Sequence, residues 1–443
     1  MSSSDLYSQC FTFAQNGEKF YRNGDYEQGI DQFEKAIQCG TNDTGLLTAV
    51  YSQLGNAYYY LKNFPKAAEY HSHDLLLCRS MNDKFGEAFA YHNLALTSVA
   101  ERDFVKALSC VACNMKIAKE TNDKTLYAQA YCAKGLVYLQ KAEEDTRLCK
   151  EHVTAFPVPI RSLDIPDKVQ EDIYTAIDSF QKYAKLVEES GDNQGCGVAY
   201  ANLGRAYFLL EQYALASQYY EKRLEIARGF GNKASMRKAF TSLGNAHYFN
   251  SKFEEAIQNY QAAAHLAEEI GDKVLQAQSW YSVGNAATVG GEFELVISAY
   301  QKHFKLSREL KDCQEQAKSC SALAAAFKVE EDIPKALYFL VIKFKLAIEL
   351  RNPEMEHKTK TSIRIAVQSD PESVIKNDRV ILDPSADPDY GSFSNPESPP
   401  IDMTSISFAL KEDSRAVSAP NLSEPLSKYI LGCAKGGKPV ALV

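Results

Sequence analysis

The chain predicts an all-α solenoid of about eight 40-residue helix pairs, followed by a disordered tail. Three observations carry that reading. Small residues at Gly17, Gly55, Ala95, Gly135, Gly204, Gly244, Gly284 and Ala324 are spaced by 40, apart from a first step of 38 and one step of 69. Turn formers at Asp43, Asp83, Asp123, Asp192, Asn232, Asp272, Asp312 and Asn352 keep the step of 40, with the same single jump of 69. An aromatic recurs between the two helices, as Tyr26, Phe64, Phe104, Tyr213, Phe253 and Phe293. One supersecondary unit per fixed period is the signature of a stacked array, in which each unit buries its apolar face against the next.

The unit is clearest from Leu243 to Lys273. Leu243, Gly244 and His247 share one face of a first helix. Ala256, Ile257, Tyr260, Ala263 and Ala264 form the apolar stripe of a second. Gly244 lets the partner helix approach closely, and the Gly271-Asp272 pair ends the second helix and caps the next.

Taken in order, residues 6–41 form the first pair, with Phe20, Tyr26, Phe33 and Ala36 at packing positions. Pairs at 44–81 and 84–121 follow in register. The fourth is interrupted: after Tyr138 the small residue due near 147 arrives as Ala176, 29 residues late. Pro157, Pro159 and Pro166 lie between and exclude a helix interior, so a long loop is expected at about 146–170, with a short helix around Asp167–Glu171. The fifth to eighth pairs run from 193 to about 350, with Pro334 suited to the first turn of the last second helix. Pro353 then opens an amphipathic capping helix carrying Met355, Ile363, Ile365 and Val367. The repeat body is thus expected at 5–368 and the tail at 369–443. Ten of the fifteen prolines lie in residues 353–443, and runs such as FSNPESPP replace the periodicity there. Such a composition buries too little apolar surface to offset chain entropy.

A net charge of −8 without a basic cluster disfavours a nucleic-acid partner. No apolar run of 18 residues exists, and MSSSDLYSQC lacks the apolar core of a signal peptide, so a soluble intracellular protein is expected. The eleven cysteines are scattered and odd in number, which fits reduced thiols. Cys110-x-x-Cys113 falls mid-helix without a second ligand pair and reads as core packing. His71-x-His73-Asp74 is the nearest approach to a ligand cluster, but i and i+2 on a helix diverge. No HExxH, Walker loop or GxSxG is present, so neither enzyme, cofactor nor metal is expected.

A helical solenoid offers an extended concave groove lined by the first helix of each pair. The residue after each repeat glycine should lie near it: Glu18, Asn56, Leu96, Leu136, Arg205, Asn245, Asn285 and Ala325. Asn56, Asn245 and Asn285 are expected to hydrogen-bond the backbone of an extended peptide. Arg205, Arg237 and Lys238 are expected to add charge suited to carboxylates, and Leu96 and Leu136 to accept an apolar side chain. The competing reading is that the asparagines brace the helices and the basic residues form a solvated face.

The Leu-Gly, aromatic, Ala, aromatic, Ala phrase resembles the tetratricopeptide repeat. YSQLGNAYYYLKNFPKAAEYHSHDL, IGDK and KAFTSLGNAHYF further resemble the Pins/LGN family of G-protein signalling modulators, as do the forty-residue period, the GDK turns and the loop inside the fourth pair. The resemblance covers about residues 5–350. It implies a tetratricopeptide adaptor or scaffold of heterotrimeric G-protein signalling in spindle orientation, asymmetric cell division and cell polarity. The implied location is cytoplasmic, recruited to the cell cortex, with spindle poles a second location. The implied groove partners are a NuMA-like coiled-coil spindle protein and an Inscuteable-type adaptor.

The family's GoLoco motifs, which bind GDP-loaded Gα(i/o), end in an acidic-Gln-Arg triad. This chain has no Gln after Gln368, so Ser405–Arg415 is at best a degenerate GoLoco relic, with Phe408, Leu410 and Arg415 as the Gα-contacting remnant. Two alternatives stay open: a guanine-nucleotide dissociation inhibitor for Gα(i/o) acting through that tail segment, and a generic tetratricopeptide scaffold unrelated to G proteins. A clamp for a chaperone's terminal carboxylate is disfavoured by Glu18 at the first groove position.

Overall fold

A computed structural model describes residues 3–153 and 165–369, and among them every regular element is a helix. The first pair is α1 (Ser3–Arg22) with α2 (Tyr26–Gln38), the second α3 (Thr44–Tyr60) with α4 (Phe64–Ser80), and the third α5 (Lys84–Ala100) with α6 (Phe104–Thr121). The fourth is α7 (Lys124–Val153) with α8 (Asp167–Ser190), and the fifth α9 (Asn193–Leu209) with α10 (Tyr213–Gly229). Then come α11 (Lys233–Phe249) with α12 (Phe253–Ile270), α13 (Lys273–Gly290) with α14 (Phe293–Glu309), and α15 (Cys313–Val329) with α16 (Ile333–Glu349). A last helix, α17 (Pro353–Ser369), packs on α16. The expected tail, 370–443, lies outside the described residues.

The boundaries follow from local chemistry. Asp25, Asp43, Asn63, Asp83, Asp103, Asp192, Asn232, Asp272, Asp312 and Asp332 each accept a backbone N–H from the first turn of the helix they precede. These caps satisfy donors that a helix start leaves without partners. Gly271 takes a left-handed φ of +78° at the end of α12, the conformation that glycine adopts without a Cβ penalty. Pro334 sits in the first turn of α16, where its missing N–H is harmless.

The chain divides into two units, at residues 226 and 227. In the first, neighbouring helices pack in sequence order. Its apolar interior is a series of clusters, such as Phe33 with Leu54 and Phe180 with Leu203. In the second, one cluster runs from Ala256 through Trp280, Tyr300, Leu323 and Phe339 to Ile363 of the capping helix.

One packing device recurs in both units. A Cβ on the repeat glycine would fall 2.7 Å from the Phe33 ring at Gly17 and 2.6 Å from Phe180 at Gly135. It would fall 2.5 Å from the rings of Tyr220, Tyr260 and Tyr300 at Gly204, Gly244 and Gly284. Ala95 and Ala324 break the glycine pattern, and the register then brings smaller or aliphatic partners, Val111 and Leu340, into the same cores.

The fourth pair departs from expectation. The loop expected at 146–170 is helical as far as Val153, where α7 ends, and the short helix expected around Asp167–Glu171 is the opening of α8. The reason is local: residues 141–153, KAEEDTRLCKEHV, contain no Gly or Pro. Lys141 binds Asp172 of α8, and Glu144 holds Arg147 and receives Arg102 at 2.7 Å.

Candidate functional site

The residue after each repeat glycine lies on the first helix, one position from the glycine–ring contact. That contact determines what the residue can do. In the second unit, the Tyr260 ring lies against Gly244 and its hydroxyl donates to Asn245 Oδ1 at 2.7 Å. Tyr300 repeats this with Gly284 and Asn285 Oδ1 at 2.8 Å. Burial raises the Tyr300 phenol to about 12, so it stays a donor at neutral pH. Each tyrosine therefore occupies the amide oxygen and leaves the Nδ2 hydrogens as what Asn245 and Asn285 offer an incoming chain. Both asparagines are half-buried.

Asn56 is half-buried too, but the ring against Gly55 is His71, which has no hydroxyl to orient the amide. Leu96 is half-buried on α5, and Leu136 packs against two apolar clusters of the first unit. Arg205 arrives paired: its Nη2 meets both carboxylate oxygens of Glu143 on α7, at 2.7 and 2.9 Å, and its Nη1 meets Asn202 Oδ1 at 3.4 Å. Attraction to Glu143 raises the Arg205 guanidinium further. The positive charge expected from Arg205 is thus compensated within its own unit. Arg237 and Lys238 are half-buried on α11 and engaged by neighbours. Phe408, Leu410 and Arg415 lie outside the described residues.

Sequence reasoning overlooked two features of the first-helix face. Phe89 occupies the register that Lys238 holds in the sixth pair, and with Phe85 it is left exposed, at 44% and 47%. Lys318 is the equivalent on the first helix of the eighth pair, two periods beyond Lys238, and it pairs with Glu315 at 2.5 Å. The signal was the period itself: adding two steps of 40 to Lys238 gives Lys318.

A serine–histidine–carboxylate row also emerges. Ser319 Oγ lies 2.7 Å from His303 Nδ1, and His303 Nε2 lies 3.4 Å from Glu315. Burial pushes the Glu315 carboxyl up, but hydrogen bonds from His303 and Lys318 prevail and hold it at about 2. Ser319 and His303 are both fully buried, so no substrate reaches this row; it ties α14 to α15. His71, His73 and Asp74 diverge: His71 and Asp74 are buried, while His73 is exposed beside Tyr51. Among the described residues no group of three or more His, Cys, Asp or Glu is placed to hold a metal. No described helix is long and apolar enough to cross a membrane.

The alternating helix pairs and glycine–ring contacts define a tetratricopeptide-repeat protein, and the tetratricopeptide repeat family matches residues 169–229. The repeat region is Pins/LGN-like in its similarity to curated relatives. It is similar to G-protein-signaling modulator 1 of Homo sapiens, at 36% identity over 213 residues, covering 48% of this chain and 31% of that protein. The Mus musculus protein of the same name is 34% identical over 220 residues, 49% of this chain and 31% of that one. The chain therefore spans about a third of the length of the curated relatives it matches, 31% in each. Among solved structures, the apo form of RapI aligns at a TM-score of 0.49 and 14% identity, over 82% of this chain and 88% of that one.

Proposed function

We propose that the chain is a non-enzymatic adaptor of heterotrimeric G-protein signalling, whose first-helix faces hold peptide segments of spindle-orientation and polarity partners. The likeness of its repeats to G-protein-signaling modulator 1 supports the signalling context. The observation that carries the binding reading is the paired Tyr–Asn bond at Asn245 and Asn285, which presents two oriented amide donors at the same register of successive pairs. Amide donors repeated in register suit the carbonyls of an extended chain. Arg237 and Lys238 on the same unit suit acidic side chains. The first unit offers a different surface, with Phe85, Phe89 and Leu96 suited to an apolar side chain.

An acidic segment of an Inscuteable-type adaptor, or of a NuMA-like spindle protein, fits the second unit on these grounds. The test is a titration of the full chain with such a synthetic segment. Asn245→Ala and Asn285→Ala together should weaken binding by about one to two decades, since two amide bonds at about 1 kcal/mol each are lost. The melting temperature reports any loss of the Tyr260 and Tyr300 partners separately. Unchanged affinity with an unchanged fold would reduce these asparagines to helix braces.

A further inference from the structure

His71 and His92 are two imidazoles that the peptide-binding reading does not use. They lie on α4 and α5, consecutive helices of the second and third pairs, which pack directly on each other. His71 is 1% exposed and His92 3%. His71 sits on Gly55 of α3, and His92 is buried on the helix that packs against α4. Among the described residues neither Nδ1 has a hydrogen-bond partner. Asn114 of α6 is fully buried with both amide atoms in the same condition. At the same register of the seventh pair, Tyr281 and His303 have ring centroids 4.9 Å apart.

One buried carboxylate, Asp74, stands on α4 without a cationic partner among the described residues. The α3 sequence, TGLLTAVYSQLGNAYYY, has no acidic or basic residue. On α4, Asp74 accepts a hydrogen bond from the Cys78 thiol at 3.5 Å. Glu87 of α5 is held by Arg79 and Lys84, and Asp83 caps α5 through Gly86 N–H. From α6 come Cys110, Cys113 and the uncharged Asn114, while Lys106, Lys116, Lys119 and Glu120 lie exposed.

We infer that this seam is a proton-sensitive joint: protons taken up at His71 and His92 drive α4 away from α5 and open the second and third pairs locally. A buried imidazolium loses its hydration, and two in one seam repel each other. Opening returns both rings to water. Burial holds both imidazoles far down, at about 4, with His92 adding to the effect on His71. Exposed histidine titrates near 6.5, so the open form binds two more protons between about pH 6.5 and 4 and gains as pH falls. Asp74 opposes this. Burial raises it to about 6, so the closed form takes up one proton over much of the same window.

Amide hydrogen exchange on the full chain at pH 7 and pH 5, corrected for intrinsic rates, tests the inference. Protection in α4 and α5 should fall by about one to two decades relative to α12 and α13. His71→Phe with His92→Ala should abolish that fall. Phenylalanine is what Gly17 and Gly135 already accept at this register, and alanine stands at the His92 register as Ala201. Asp74→Asn should enlarge the fall by about a decade, an effect that general acid weakening would not give. Equal protection at both pH values in the parent overturns the inference. So does a fall that survives in the double variant, or one that Asp74→Asn leaves unchanged.

Discussion

At the scale of residues, the fold rests on a paired choice made within each helix pair: glycine beneath an aromatic ring, or alanine where the opposite residue is aliphatic. Gly244 with Tyr260 is the first case, and Ala95 with Val111 the second. Gly244→Ala should therefore destabilise by about 1–3 kcal/mol, because the new Cβ must displace a ring held in a packed interior. Adding Tyr260→Leu should recover part of that loss in a urea titration, as the Ala324 and Leu340 combination implies. No recovery would show that the ring does not set the spacing. The glycine half of this rule was legible in the sequence, since the period exposes it. The role of the asparagines was not. Their spacing suggested a ladder of donors and acceptors, whereas the hydroxyl fifteen residues on takes the acceptor, as Tyr260 does for Asn245.

At the scale of elements, helix starts were legible from Asp and Asn at the turns, and helix ends less so. The extension of α7 to Val153 was hidden because three prolines further on suggested a loop beginning earlier than it does. Glu143, the carboxylate that compensates Arg205, lies on α7 just before that extension, 62 residues from its partner, so the pairing was not legible from spacing. The α14–α15 contact gives a test with a defined pH course. Glu315 titrates at about 2 in the folded chain against an ordinary value of 4.5. The unfolded chain thus binds the extra proton between those values. The contribution is complete above pH 4.5 and is lost as pH falls through 2. Discounted for partial exposure, Glu315→Gln should cost about 1–2 kcal/mol at pH 7 by chemical denaturation. The difference from the parent should shrink towards pH 2. A deficit independent of pH would assign the effect to packing.

At the scale of the whole molecule, the two units present first-helix faces of different chemistry. Phe85 and Phe89 mark the first, and Arg237 and Lys238 the second. Both the period and the charge were legible in sequence, but exposure was not, and exposure separates Phe89 from a core residue. Residues 369–443 contain no glutamine and so hold no acidic-Gln-Arg triad. The full chain should accordingly leave GDP release from a Gα(i/o) subunit unchanged at micromolar concentration. Slowed release, lost on Arg415→Ala, would restore the dissociation-inhibitor reading.

The binding reading is tested most directly by a double-mutant cycle between the second unit and an acidic partner segment. Arg237→Glu with Lys238→Glu is titrated against the parent segment and against one with its acidic residues changed to lysine. A charged contact at this face predicts a coupling of at least about 1 kcal/mol, with the doubly reversed pair binding better than either single reversal. Additive losses, with a coupling near zero and melting temperatures unchanged, would mean that the ligand does not meet this face.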